Sequence, residues 1–227
     1  SAWKKSSTDF SDLPFTASIN GLKFSYGEAA VVISRLSALL QKNNISRGDR
    51  VALISENRAE WGLCWLAATT MGAVAVPVMI DFSSEQMLNI LDHSEAGFVF
   101  VSEKSMPKIE GSSLVKKNKS LVIDNNPVFT NLTDNASYAF FTGNIEAANE
   151  PDDTAALIYT SGTTGASKGV LLSHKNIIVN AIDSTKVGDF KEGDSMLSVL
   201  PLAHMYEFTQ GFITPLLEGA NITYLGL

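Results

Sequence analysis

Tyr159-Thr160-Ser161-Gly162-Thr163-Thr164-Gly165-Ala166-Ser167-Lys168-Gly169-Val170 packs three glycines, hydroxyl side chains and one lysine between two apolar runs. Ala155 to Tyr159 precede the polar core and Val170 to Leu172 follow it, so strands are expected on both sides. Glycine lets the main chain approach a ligand closely. Successive amide N–H groups, with Ser and Thr hydroxyls, can cradle an anion, and Lys168 adds a point charge. The stretch therefore reads as a polyphosphate-binding loop. A Walker A loop would need Gly-Lys-Ser/Thr at its end and a helix after it. Here Gly169 follows the lysine and the next segment reads as a strand. A plain hairpin turn needs only about two residues, and long loops without a function are uncommon.

Working outward, the upstream half alternates between strand and helix signals. Thr16 to Phe24, broken at Asn20-Gly21, predicts a hairpin. Ser25-Tyr26-Gly27-Glu28 has the form of a capping box, and Ala29, Ile33, Leu36 and Leu40 then line one helix face. Arg50 to Ser55 predicts a strand, with Asn57 as cap of a helix carrying Trp61, Cys64, Trp65 and Ala68. Gly72 ends that helix, and Ala73 to Val78 gives the next strand. Ser83 and Gln86 form a second capping box, and Gly97 to Ser102 a further strand. Strands and helices alternating through short joins predict right-handed parallel crossovers, an α/β fold of layered, mainly parallel sheets. Leu121 to Asp124 is a fourth strand of this half. Thr130 to Ser137 reads as loop, and no structure is expected for residues 1–15.

Downstream, Asn176 to Lys186 reads as helix, Met196 to Leu200 as strand, Ala203 to Glu218 as helix with Gly219 as its stop, and Asn221 to Leu225 as strand. The boundaries that follow are a first α/β subdomain over about 16–150, then the loop's strand pair and the start of a second subdomain over 151–227.

The 227 residues, 45% hydrophobic and 18% charged, can bury a real core. A formal charge of −7 without a Lys/Arg stripe argues against a nucleic-acid partner. Cys64 is the single cysteine, so no internal disulfide forms, and its neighbours suit a buried thiol. The run Leu63 to Ile80 approaches membrane-spanning length, but Gly72 and Pro77 interrupt it, so it reads as helix, turn and strand.

Taken together, Tyr159 to Val170 resembles the phosphate-loop signature of the AMP-forming adenylate-forming superfamily. Leu172-Ser173-His174-Lys175-Asn176-Ile177 matches the extension that follows it there. Leu200-Pro201-Leu202-Ala203-His204-Met205-Tyr206-Glu207 is similar to the next motif in the form of long-chain fatty acyl-CoA synthetases. Gly48-Asp49-Arg50-Val51-Ala52, Asn57, Trp61 and Gly72 to Pro77 fit the earlier motifs. One departure is Ser167, where the family commonly has proline. Because proline offers no N–H to a phosphate, the binding chemistry should survive the change.

The resemblance implies an incomplete N-terminal adenylation domain over 1–227, from the large N-terminal domain of an acyl-CoA synthetase-like fold, without the C-terminal domain. It implies ATP, Mg²⁺ and coenzyme A as reactants and a fatty carboxylate as substrate. Thr160, Ser161, Gly162, Thr163, Thr164, Gly165 and Lys168 would hold the outer phosphates, with Thr164 near Mg²⁺ and His204 as the catalytic residue beside the acyl group. His174 would cap or orient the loop's exit, and Glu207 reads as an exposed helix carboxylate. A cytoplasmic location, no membrane span, peripheral membrane contact and self-association are the corresponding expectations. An acyl-carrier-protein or aryl-CoA ligase, and a non-catalytic nucleotide-binding module, remain open alternatives.

Overall fold

Ser25 closes a short strand and opens the longest helix among the described residues. Its Oγ accepts from Glu28 N at 3.1 Å, and Glu28 Oε2 accepts from Ser25 N at 2.8 Å. This reciprocal cap satisfies two of the N–H groups that a helix start leaves unpaired. The computed structural model describes residues 2–130, 149–160, 168–188 and 190–226. Helix α1 (Ala2–Asp9) leads into strands β1 (Pro14–Ser18) and β2 (Lys23–Ser25), then α2 (Tyr26–Lys42). There follow β3 (Arg50–Ile54), α3 (Ala59–Thr70), β4 (Val74–Pro77), α4 (Ser84–His93), β5 (Ala96–Val101), α5 (Ser113–Lys116), β6 (Ser120–Val122) and α6 (Pro127–Thr130). The remainder comprises β7 (Thr154–Thr160), β8 (Lys168–Ser173), α7 (His174–Gly188), β9 (Ser195–Ser198), α8 (Met205–Phe208), α9 (Thr214–Glu218) and β10 (Asn221–Tyr224). Ser83 and Gln86 cap α4 as Ser25 and Glu28 cap α2.

The strands form two sheets. The larger runs β6-β5-β3-β4-β7-β8, parallel except for the antiparallel pair β7–β8. Its inner strands are apolar on both faces, as parallel strands covered by helices must be. Val51, Leu53, Ala75, Phe98 and Phe100 pack into the core that holds α2 and α3 residues. Their neighbours Ala52, Ile54, Val76, Val99 and Val101 pack with Met87, Ile90 and Leu91 of α4. The period-two alternation of strand side chains makes this division. The smaller sheet runs β2-β1-β10-β9, with β1 parallel to β10 and antiparallel to β2. Sheet membership therefore cuts across chain order. The earliest strands join the latest, while β7 and β8 complete the larger sheet.

A helical rod ties the two sheets together. It comprises α8, a π-helical turn at Thr209–Ile213, and α9. Phe208 lies 4.8 Å from Trp65, and Phe212 meets Trp61 edge-on and also packs on Phe15 of β1. Gly62 permits this approach, because a Cβ there would fall 2.7 Å from the Phe212 ring. The sequence predicts a helix over 203–218, with Gly211 and Pro215 as the residues that work against it. Pro215 has no N–H and its ring crowds the preceding turn, and the helix widens just ahead of it. Gly219, at φ 74°, ends the rod as expected.

Residues near the start also differ from expectation. α1 forms because Trp3 packs against Phe15 at 5.4 Å and stacks on Tyr26. The run 63–80 is the end of α3, a turn at Gly72 and then β4, and among the described residues no helix is long and apolar enough to cross a membrane. Cys64 is buried and free, and burial pushes its thiol well up, with Glu60 adding to the effect. Of the loop expected at 130–137, residues 131–137 lie outside the described set.

Candidate functional site

The hairpin β7–β8 places Thr160 opposite Lys168, Tyr159 opposite Gly169 and Ile158 opposite Val170. Antiparallel pairing thus brings the two ends of the intervening segment within one strand spacing, about 5 Å. Thr160, Lys168 and Gly169 are all exposed. Of the expected phosphate-binding residues, Thr160 and Lys168 are brought together. Ser161, Gly162, Thr163, Thr164 and Gly165 lie outside the described residues, and Thr164 takes the candidate metal position with it. Among the described residues no cluster of three or more His, Cys, Asp or Glu side chains could hold a metal.

The hairpin is anchored at its base. Its ladder to β4 is registered at Ala75 opposite Ala156, four positions before Thr160. His174 N donates to Asp153 O at 3.0 Å and Lys175 N to Pro151 O at 2.7 Å, fastening the start of α7 to the start of β7. The cap of α7 is Ser173, whose Oγ accepts from Asn176 N at 3.2 Å while Asn176 Oδ1 accepts from Ser173 N at 3.0 Å. That reciprocal pair was available in the sequence as Ser-x-x-Asn and displaces His174 from the capping role. The His174 ring is half-buried with Nε2 unpartnered. Burial lowers its pKa, and the nearby Asp153 charge offsets part of the effect.

His204 sits on the smaller sheet's side, at the start of α8. Its backbone is extended, His204 N donates to Pro201 O at 2.9 Å, and Nδ1 accepts from Tyr206 N at 3.4 Å. The ring is exposed. Glu207 corrects expectation: it is 4% exposed, and Oε1 accepts from Ser198 Oγ at 2.6 Å. The rod turns that face of α8 onto β9, whereas an isolated helix would leave it in water.

Asn57 connects the two sides. The sequence makes it a helix cap, yet α3 begins without a side-chain cap, and Ser18 Oγ accepts from Ala59 N at 2.9 Å. The Asn57 amide instead donates to Leu200 O at 2.5 Å and accepts from Leu202 N at 2.8 Å. A carboxamide carries both a donor and an acceptor, so one side chain can clamp two backbone groups. Asn57 therefore bolts the end of β3, in the larger sheet, to the segment that leads into His204.

Beside it, Arg58 Nη1 donates to Asp124 Oδ1 at 2.6 Å and Nη2 to Glu60 Oε1 at 3.1 Å. Burial alone would raise Asp124, but Arg58 and the Glu103 N–H hold it below the usual carboxylate range. Burial alone would likewise lower Arg58, and Glu60 and Asp124 reverse that. One guanidinium bridges two carboxylates here, which suits fastening the start of α3 to the residues after β6.

Comparison with known proteins puts this geometry in context. The family described as AMP-binding enzyme matches residues 5–226. The chain is 28% identical over 211 residues to 4-coumarate–CoA ligase 3 of Arabidopsis thaliana, covering 89% of this chain and 37% of that protein. It is 33% identical over 193 residues to a crotonobetaine/carnitine–CoA ligase of Proteus sp. (strain LE138), covering 81% and 37%. The crystal structure of ATP-bound MatB from Rhodopseudomonas palustris superposes with a TM-score of 0.82 at 25% identity, over 99% of this chain and 45% of that one. The chain thus spans less than half the length of each of these relatives.

Proposed function

We propose, on the premise that the chain belongs to the AMP-binding enzyme family, that it carries the phosphate-binding part of an AMP-forming acid–thiol ligase. In that reaction a carboxylate attacks the α-phosphate of ATP, releasing pyrophosphate and leaving an acyl-adenylate. The thiol of coenzyme A then displaces AMP. The observation that carries the reading is the hairpin that sets Thr160 across from Lys168 at an exposed end, in a chain the family matches nearly throughout.

Thr160, Ser161, Gly162, Thr163, Thr164 and Gly165 supply hydroxyls and N–H groups to the β- and γ-phosphates, and Lys168 supplies charge. The Thr164 hydroxyl is a hard oxygen donor of the kind Mg²⁺ accepts, and the ion's charge would offset that of the phosphates. A lysine–phosphate pair about 4 Å apart is worth about 1 kcal/mol in water and about 4 kcal/mol at intermediate dielectric. Lys168 therefore orients the nucleotide and cannot supply the rate enhancement by itself. His204 is assigned the position beside the acyl group and α-phosphate, held there by the Asn57 clamp.

The substrate in this reading is a fatty acid. It rests on Leu200 to Glu207, whose form is that of long-chain fatty acyl-CoA synthetases, while the relatives above are named for coumarate and for crotonobetaine or carnitine. The chain would be an incomplete N-terminal adenylation domain working in the cytoplasm, its remaining catalytic groups supplied by sequence outside these residues. Calorimetric titration of the 227-residue chain with Mg-ATP tests the core of the reading. Binding should be saturable and weaken about tenfold or more in Lys168→Ala, since a hydrogen bond to a charged group contributes about 1.5–3 kcal/mol. Absence of binding, or equal affinity in the variant, overturns it. Acyl-CoA formation by this chain alone is expected to be absent.

A further inference from the structure

The loop-bearing end of the hairpin overhangs its sheet. The ladder to β4 is registered at Ala156, and β8 is an edge strand whose Lys168, Gly169, Val170 and Leu171 are all exposed. Beyond Ala156 the two strands stay paired with each other, and holding that end of the hairpin against the rest of the sheet falls to side chains. Ile158 and Tyr159 are buried there, and Tyr159 bears the only hydroxyl on β7 between Thr154 and Thr160.

Tyr159 is 5% exposed, and its ring lies against the glycine across the ladder. A Cβ built on Gly169 would stand 3.7 Å from the ring carbons. The tyrosine hydroxyl and His93 Nδ1 share a hydrogen bond of 2.7 Å, and the two rings meet edge-to-face at 5.7 Å. His93 is the last residue of α4. A continuous line of contact therefore runs from α4 through His93 and Tyr159 to Gly169, which adjoins Lys168. Nothing in the local sequence around His93 signals it, because its partner is 66 residues away.

We propose that His93 is a positioning residue for the phosphate loop: through Tyr159 it fixes the overhanging end of the hairpin, and so the spacing of Thr160 and Lys168 that nucleotide binding uses. The proposal rests on the reading of the loop as an ATP phosphate site. His93 touches no phosphate itself. It acts by removing a freedom of the strand that would otherwise have to be lost on binding.

The test is a double-mutant cycle on the 227-residue chain with His93→Leu, Tyr159→Phe and the pair, alongside His93→Asn, whose Oδ1 can take the place of Nδ1. Mg-ATP affinity by calorimetry should fall about tenfold in each single variant and little further in the pair, with His93→Asn close to the parent. Hydrogen exchange without nucleotide should quicken in peptides covering 155–160 and 168–173 in both single variants, and recover in His93→Asn. Parental affinity in His93→Leu, or losses that simply add, overturns the anchor. A parent chain that binds no ATP overturns the loop reading instead, and the exchange arm then decides the anchor, which unchanged exchange in His93→Leu would sink.

Discussion

Ser198 Oγ donates to Glu207 Oε1 at 2.6 Å in a place that solvent does not reach, Ser198 being 0% and Glu207 4% exposed. The pair locks the first turn of α8 onto β9. Removing the donor leaves a buried carboxylate oxygen short of a partner, which typically costs about 1–3 kcal/mol. Ser198→Ala should lose that much in urea unfolding, and Glu207→Gln less, because its amide oxygen still accepts. Gly211→Ala attacks the same spot from the other side: a Cβ would fall 2.4 Å from Glu207 Oε1, and overpacking of this kind costs about 1–3 kcal/mol.

The Asn57 clamp gives a second test. Asn57→Ala strips partners from Leu200 O and Leu202 N together. Stability should fall by about 1–3 kcal/mol. The Leu202 amide should also exchange faster, with the change centred on residues 200–204. Asn57→Asp keeps the acceptor for Leu202 N but turns a carboxylate oxygen toward Leu200 O, so it should recover little. Protection at Leu202 equal to the parent's in Asn57→Ala would show that the clamp holds nothing.

His174 predicts a pH dependence. Burial lowers its pKa in the folded chain. As pH falls, the unfolded chain takes up that proton first, so stability is full above the unfolded value of about 6.5 and declines as pH drops through the lower native value. Urea midpoints measured between about pH 8 and pH 5 should fall toward the acid end, and His174→Gln should flatten the decline. Asp124, also lowered, contributes in a more acidic window. Its share is present above about pH 3.9 and is lost below.

Phe208 shares with Phe212 the rod's contact with Trp61 and Trp65, and makes the shortest of the four ring approaches, 4.8 Å to Trp65. Phe208→Ala should cost about 3–5 kcal/mol, the range for deleting a large buried aromatic. A conservative Phe208→Leu should recover part of this. If both variants unfold at the parent's midpoint, the rod is not packed as described.

How much of this was legible from the residues depends on how far apart the partners lie. The two capping boxes and the Asn20-Gly21 hairpin are local, and each occurs where its residues predict. The alternation of β3, β4 and β5 with α3 and α4 follows from apolar patterning and short joins. Long-range partners left no such trace. Asn57 has the right chemistry for a cap, and only a backbone segment 143 residues away makes it a clamp. Glu207 has the composition of a surface residue until β9 covers it. The stretch read as a phosphate loop carries the plainest signal in the sequence, and the described residues include only its two ends.

Parallel pairing of β1 with β10, Thr16 against Ile222, has a consequence for how the protein is made. The ribosome delivers β1 well before β10, with every strand of the larger sheet in between. The larger sheet can assemble progressively, strand beside strand, while one edge of β1 waits without its neighbour. Until β10 arrives, that edge and the aromatic side chains of Phe15 and Tyr26 have only part of their final cover. Such an exposed edge is where nascent chains associate wrongly. Because these contacts join distant parts of the chain, closure of the smaller sheet should be the slow step of folding.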